Sequence, residues 1–181
     1  MIFSSAQRLL RSFRSDTDAT VTVEFAILMP LFFMFLTSTV ELGMVVLRQS
    51  QLERALDIVV RDIRLHTGSA PQHDTVRDQI CKTSGFIDNC STSLRLEMVQ
   101  LDPFAWTGVN EQPDCISKPE EMLPVRGFSN TGASNDLMLI RACMRFKPLF
   151  SGWGFGESLS TADPEGLVSL VAVSAFVQEP R

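Results

Sequence analysis

Two histidines, four cysteines and a glycine-rich stretch are the features of this 181-residue chain that could do chemistry. A catalytic histidine needs a partner, but His66 and His73 have no serine or cysteine at a spacing typical of nucleophilic sites. The sequence contains no G-x-S-x-G, no H-E-x-x-H and no phosphate-binding glycine loop. The glycines of Gly152-Trp-Gly-Phe-Gly156 are too closely spaced for such a loop, and we predict a turn there with no helix after it. We therefore expect a protein that is not an enzyme and uses no cofactor.

The cysteines all follow an apolar segment of membrane length, which predicts that they lie in an exported domain. An even number of exported cysteines indicates two disulfides. Four cysteines allow three pairings, and we favour Cys81–Cys90 with Cys115–Cys143. The first pair closes a short loop, and the second ties a long loop to a strand. A metal site is the alternative, but these spacings are not those of zinc ligands and the histidines lie elsewhere, so we expect no metal.

Glu24 stands alone at the beginning of that apolar segment. No charged residue occurs between Phe25 and Val40, and the residues that follow Glu41 are apolar again as far as Leu47. Phe25 to Leu47 provides about the 20 residues with which a helix crosses a bilayer. An ionised carboxylate at the edge of hydrocarbon costs a few kcal/mol without a partner, so Glu24 is a candidate functional residue. Glu41 is expected near the far interface, where its charge costs less.

Two other interpretations of the apolar segment are weaker. A cleaved signal peptide has a shorter apolar core and a small-residue cleavage site, whereas Arg48-Gln-Ser-Gln-Leu-Glu-Arg follows here. A core helix of a water-soluble protein rarely carries a run such as Phe32-Phe33-Met34-Phe35-Leu36 on every face. We therefore predict a membrane-spanning helix. Pro30 lies in its first turns and is expected to bend it, because proline removes one backbone hydrogen-bond donor.

The flanking charges predict the direction of the span. Arg8, Arg11 and Arg14 precede it, and the positive-inside rule leaves this basic leader in the cytoplasm. The chain is thus expected to cross the membrane once, with its C-terminal domain translocated. The formal net charge of −5 argues against nucleic acid as a partner.

A second stretch continues the helix beyond the span. Val45, Leu52, Leu56, Val59 and Ile63 form one apolar stripe at helical spacing. The sequence has no glycine or proline from Met44 to Thr67, so we predict one helix over 20–65, ended by Gly68 and Pro71. The predicted organisation is a leader over 1–19, a transmembrane segment over 20–47, an amphipathic helix over 48–67 and an exported domain over 68–181.

The exported domain is predicted to be α+β. Alternating or β-branched patterns predict strands over 94–100, 136–146 and 167–177, a short helix covers 74–81, and residues 102–135 read mostly as loop. The three strands are expected to form a small antiparallel sheet that packs on the C-terminal half of the long helix.

The N-terminal segment resembles the TadE-like family of Flp (tight adherence) pilus proteins. Val23-Glu24-Phe25-Ala26-Ile27-Leu28-Met29-Pro30 is similar to the family pattern V-E-F-A-x-x-x-P. Glu41-Leu42-Gly43 and Arg48-Gln49 also look like that family. The resemblance covers about residues 18–65 and is only architectural beyond them.

The resemblance implies a pseudopilin, or minor pilin, in pilus assembly. Its partners would be the membrane, other pilin-like subunits, the Tad secretion machinery and a prepilin peptidase that cuts between Ala19 and Thr20. The family usually has glycine before the cut, where Ala19 stands here. Glu24, Phe25 and Pro30 would then serve subunit packing, with Glu24 neutralised by the new amine of a neighbour's Thr20. Alternatively, Glu24 is a first-turn acid favoured by the helix dipole.

A second hypothesis is a membrane-anchored periplasmic binding or sensor module. Residues 82–181 would then recognise a ligand, with Trp106, Trp153 and Phe155 as candidate contacts. The simpler interpretation of these aromatic residues is that they pack under glycine-rich loops.

Overall fold

The computed structural model describes residues 19–65, 72–85, 89–105, 112–113, 115 and 135–179. The predicted leader, the helix end at Gly68 and Pro71, His66, Trp106 and most of the predicted loop over 102–135 lie outside these residues. The described elements are, in chain order, α1 (Ala19–Leu65), α2 (His73–Ser84), α3 (Cys90–Ser93), β1 (Leu94–Leu101), β2 (Leu137–Phe146), α4 (Gly154–Thr161) and β3 (Val168–Val177).

Helix α1 is a single rod of 47 residues, about 70 Å long at 1.5 Å per residue. It continues through Pro30, and the predicted helix over 20–65 is confirmed. Its first half is exposed, whereas its second half packs under the rest of the chain. One secondary-structure element thus has two different environments.

The sheet is three-stranded and antiparallel, with the order β1-β2-β3. Strand β3 runs along α1 in the same direction, because Gln49 donates to the carbonyl of Val171 near one end and Arg64 pairs with Glu179 near the other. The end of the sheet that holds Phe146 and Val168 is therefore nearer the exposed half of α1. The predicted α+β class, with the sheet on the C-terminal half of the helix, is confirmed.

The core lies between the predicted stripe of α1 and one face of the sheet. Leu52, Leu56 and Val59 are about 1 % exposed or less, and Ile63 is also buried. Alternate residues of the strands meet this stripe because side chains in a strand point to opposite faces in turn. The buried strand residues on that face include Leu96, Met98, Met138, Ile140, Ala142, Met144, Leu170, Ala172 and Phe176.

The opposite face of the sheet carries charges and a disulfide. Arg141 Nη2 lies 2.6 Å from Glu97 Oε2, across a directly opposed pair of strand residues. Arg145 pairs with Asp163 and Glu165 in the connection before β3. Cys143, on the same face, is bonded to Cys115 and thereby brings that residue of the long connection onto the sheet.

Three helices differ from the sequence predictions, and one of them, the four-residue α3, has no predicted counterpart. The prediction that no helix follows the glycine-rich stretch is wrong, since α4 begins at Gly154. Local sequence favours a turn there, but the N-terminus of α4 is held against α1 by the bond from the Phe155 N–H to Ser38. Helix α2 is longer than the predicted 74–81 and ends before Gly85, whose φ of 63° is the left-handed conformation in which glycine commonly terminates helices.

Candidate functional site on the long helix

The first half of α1 presents apolar side chains to its surroundings on every face. Phe25 and Phe32 are both 58 % exposed, and most of the residues from Val21 to Val40 are exposed with them. A continuous apolar surface of this size is uncommon on a water-soluble monomer and marks a membrane or protein contact. Among the described residues, the stretch Val21–Leu65 is the one helix long and apolar enough to cross a membrane.

The residues predicted to serve subunit packing all lie on this exposed half. Glu24, Phe25 and Pro30 are exposed, and none of the described residues forms an ion pair with Glu24. Ala19 and Thr20 are the first two residues of α1, so the predicted cleavage site is at the beginning of the helix. The chain's own domain therefore leaves Glu24 and Phe25 available to another molecule.

Glu41 is a second acid on α1, and its environment is the opposite of that of Glu24. Its side chain is fully buried. Oε1 accepts the backbone N–H of Leu149 at 3.2 Å, and Oε2 accepts that of Phe150 at 3.0 Å. The sequence predicts that proximity to the membrane interface makes this charge tolerable, whereas the structure supplies two hydrogen-bond donors. Glu41 is not among the site residues that the sequence predicts, although its interruption of the apolar run is a signal for it.

The donors to Glu41 belong to residues 147–156, a segment that lies against one face of α1 and that we call the collar. Ser38 Oγ accepts the backbone N–H of Phe155 at 3.1 Å, one helical turn from Glu41. Carboxylate and hydroxyl are thus three residues apart on one face of the helix, which suits them to hold one short segment. The collar is fastened to α1 by polar contacts in an otherwise apolar region.

Glycines permit the close approach of the collar. Gly154 has φ of 60°, and a Cβ added there would lie 2.7 Å from Ser38 Oγ. A Cβ on Gly156 would lie 2.5 Å from the Phe150 carbonyl oxygen. Gly154 is therefore explained by contact with α1, and Gly156 by a close approach within the collar itself.

A cation and an amide extend these contacts from the collar into the sheet. The Arg48 guanidinium carbon lies 4.4 Å from the centre of the Phe146 ring, within the range of a cation–π interaction. Gln49 Nε2 donates to the Val171 carbonyl at 3.0 Å and contacts Glu53. The turns of α1 from Ser38 to Gln49 thus form the junction between the exposed rod and the domain.

The candidate aromatic ligand contacts have a different setting from the one expected. Trp153 and Phe155 are half-exposed on the collar, and Trp153 lines a groove together with residues of the apolar half of α1. All four cysteines are in disulfides, Cys81–Cys90 and Cys115–Cys143, which is the pairing that the spacing favoured. Within the described part of the chain, no group of three or more His, Cys, Asp or Glu side chains is placed to hold a metal ion.

A single match to a known protein family covers both the exposed half of α1 and the junction. Residues 19–61 match the family model described as TadE-like protein. This segment is TadE-like. The resemblance inferred from V-E-F-A-x-x-x-P is thereby confirmed, and the TadE-like segment contains Glu24, Ser38 and Glu41. Searches of curated proteins and of solved structures gave no match to the chain.

The TadE-like segment ends within the packed half of α1. The sheet, both disulfides and the collar lie outside it. Glu41 and Ser38 therefore join a family segment to a domain that the family match does not cover.

Proposed function

We propose that this protein is a non-enzymatic, pseudopilin-like subunit for assembly of a Flp/Tad-type pilus used in adherence. The observation that carries the proposal is the coincidence of the TadE-like segment with the exposed apolar half of α1. The first half of α1 anchors the chain in the inner membrane, with the N-terminus in the cytoplasm and the sheet domain in the periplasm. Its partners are other pilin-like subunits and the Tad secretion machinery.

Glu24 has the central role in the proposed subunit contact. A prepilin peptidase cuts between Ala19 and Thr20, which creates an amine five residues from the carboxylate, counted inclusively. When two such helices pack side by side, the amine of one subunit neutralises Glu24 of the next. A buried ion pair of this kind adds little net stability but can specify the register of packing. Phe25 and Pro30 contribute apolar surface to the same contact.

Exposure of Glu24 supports this role over a purely structural one. The side chain is open to a second molecule, whereas Glu41 is fully occupied by its own chain. The Glu24 carboxylate is therefore exposed to a partner, whereas both carboxylate oxygens of Glu41 already accept hydrogen bonds within the chain. We assign Glu24 to contacts between subunits and Glu41 to the fold of one subunit.

The test compares Glu24→Gln and Glu24→Ala with Glu53→Gln in cells that lack the chromosomal copy. Glu53 is an exposed acid on the packed half of the same helix, so its substitution controls for loss of a helical carboxylate. We expect both Glu24 variants to insert into the membrane at normal amounts and to assemble no pili. The Glu53 variant should assemble pili. Normal piliation with Glu24→Ala contradicts the proposed pairing.

Processing is tested separately by N-terminal sequencing of protein extracted from membranes. The proposal expects a mature protein that begins at Thr20, and Ala19→Arg should block the cut by placing a bulky charge before it. An intact Met1 in the wild-type protein would mean that no free amine forms at Thr20, which would contradict the pairing of Thr20 with Glu24.

An exchange of the membrane segment separates the pilus role from a sensor role. The exchange should be limited to residues 20–36, because Ser38 and Glu41 hold the collar. With an unrelated apolar helix in that place, a sensor domain keeps its activity, whereas a subunit that packs through α1 no longer supports piliation.

A further inference from the structure

The collar is the part of the sheet domain that carries exposed apolar side chains next to the apolar half of α1. Leu149 and Trp153 are 55 % and 51 % exposed, and Phe150 and Phe155 are each 37 % exposed. These side chains are clustered within seven positions of sequence. A loop of this composition on a periplasmic domain requires an apolar environment or a partner.

The level of the collar along α1 identifies that environment. The collar is bonded to Ser38 and Glu41. Val21 to Val40 is 20 residues, which at 1.5 Å per residue spans about 30 Å, the thickness of the hydrocarbon core. If the span begins at Val21, its far boundary falls at the turn of α1 that binds the collar. Tryptophan and other aromatic side chains are favoured at this boundary.

The backbone of the collar has the hydrogen bonds that such a location demands. A backbone N–H in contact with lipid must be satisfied within the protein, because hydrocarbon offers no acceptor. Leu149 and Phe150 donate to Glu41, and Phe155 donates to Ser38. Trp153 donates to the carbonyl of Phe150 at 3.1 Å. Each of the four exposed apolar residues therefore has its N–H satisfied by the chain itself.

The apolar surface of the collar is continuous with that of the span. A groove of about 600 Å³ lies between them, and its lining is almost entirely apolar: Ala26, Met29, Pro30, Phe33, Thr37, Phe150 and Trp153. Phe150 and Trp153 thus share one surface with residues in the first half of α1. An acyl chain can contact both walls of this groove without meeting a charge.

We infer that the collar inserts into the domain-side leaflet of the bilayer, with Trp153 at the boundary between headgroups and acyl chains. The partner is the phospholipid interface itself. The collar then acts as a second membrane contact that fixes the depth of the sheet domain above the span. This inference rests on the membrane span and does not depend on a role in pilus assembly.

The experiment uses Trp153 as a native depth reporter in the full chain. Trp106→Phe leaves Trp153 as the single tryptophan, since the chain contains two. The protein is reconstituted into phosphatidylcholine vesicles that carry bromine either near the headgroup or near the end of the acyl chain. We expect most of the Trp153 emission to be lost with bromine near the headgroup and less with bromine at the chain end. Iodide on both sides of the bilayer should have little effect.

A matched control places the reporter at the far end of the sheet. Phe104 is 96 % exposed and follows β1, whose end at Leu101 pairs with Leu137, away from the collar. Phe104→Trp in a background of Trp106→Phe and Trp153→Phe should be quenched by iodide and not by brominated lipid. Far-UV circular dichroism checks that both reporters are folded.

Two outcomes overturn the inference. Trp153 emission quenched by iodide but not by brominated lipid places the collar in water. The second outcome is Trp153 emission that neither quencher reduces, with quenching restored when the vesicles contain more lipid per protein. This outcome places a second copy of the chain on the collar, because dilution in lipid separates the copies. Neither outcome depends on piliation, so the failure of this inference is distinguishable from failure of the proposed function.

Discussion

Glu41 accepts the backbone N–H of Phe150 at 3.0 Å across 109 positions of sequence. The contact joins an acid within an apolar helix to a segment that follows the last residue of β2. It supplies the carboxylate with donors where water is scarce, and it satisfies collar amides that would otherwise face an apolar environment. The same bond therefore stabilises both partners.

Removal of the Glu41 carboxylate is expected to release the collar. Glu41→Ala leaves two N–H groups without their acceptor and should cost about 3 kcal/mol, since an orphaned buried group costs about 1–3 kcal/mol. Glu41→Gln should cost less, because its amide oxygen can still accept one bond. The measurement is denaturant unfolding in detergent together with hydrogen exchange at the Leu149 and Phe150 amides.

The control for Glu41 is Asp57→Asn, which changes an exposed acid on the same helix. We expect it to leave exchange at both collar amides unchanged. Equal protection of these amides in the wild-type protein and in Glu41→Ala would show that Glu41 does not hold the collar.

Glycines of the collar should differ sharply in their tolerance of alanine. Gly156→Ala brings Cβ against the Phe150 carbonyl oxygen, a backbone atom of the residue held by Glu41, and should cost about 1–3 kcal/mol. Gly154→Ala adds a left-handed alanine, which costs about 1–2 kcal/mol.

Gly152→Ala is the matched substitution, because a Cβ there meets nothing within 4 Å. We expect it to change the free energy of unfolding by less than about 0.5 kcal/mol. Unfolding in detergent, followed by Trp153 fluorescence in a Trp106→Phe background, compares the three variants. Equal stabilities would contradict both the close approach of Gly156 to the Phe150 carbonyl and the left-handed conformation of Gly154.

The two disulfides should contribute unequally to stability. Cys115–Cys143 closes 28 positions of sequence and Cys81–Cys90 closes nine. The chain-entropy model assigns them about 3.6 and about 2.6 kcal/mol, because a longer loop loses more freedom when it is closed. Paired alanine substitutions at each bridge, unfolded in urea and detergent, measure the difference. A larger loss on removal of Cys81–Cys90 would contradict this ranking.

Asp74 should add a small acid-sensitive contribution to stability. The hydrogen bond from His73, followed by the charge of Arg77, lowers the pKa of the Asp74 carboxyl below its ordinary value. Because the folded-state pKa is the lower one, the stabilisation is present above the ordinary pKa and is lost as pH falls through the lowered pKa. The side chain is largely exposed, so we expect no more than about 0.5 kcal/mol.

The measurement for Asp74 is the free energy of unfolding along an acid series. Asp74→Asn should be slightly less stable than the wild-type protein at neutral pH and should approach it at the acid end. Asp57→Asn, with Asp74 in place, should keep the wild-type acid dependence of this contribution. A constant difference between Asp74→Asn and the wild-type protein at every pH would rule out a role for the carboxylate charge.

Sequence by itself determined the elements whose signals are local. The helix predicted over 20–65 follows from the apolar run and from the absence of glycine and proline after Gly43, and its stripe follows from 3.6-residue spacing. The face of β2 that enters the core follows from alternation, which separates Ile140 and Ala142 from Arg141. The V-E-F-A-x-x-x-P pattern identified the family segment for the same reason, since it is contained in neighbouring residues.

Only the tertiary structure decided what meets Glu41, where α4 begins and which side of the sheet holds Cys115. A backbone N–H is present in almost every residue, so no sequence signal distinguishes the amide of Phe150 from any other. Its contact with Glu41 arises because β2, which pairs with β3 along α1, delivers the collar to the helix at that level. Contacts between residues far apart in the sequence depend on how the helices and strands pack. Neither the hydrophobic period nor the spacing of residues specifies which backbone groups that packing brings together.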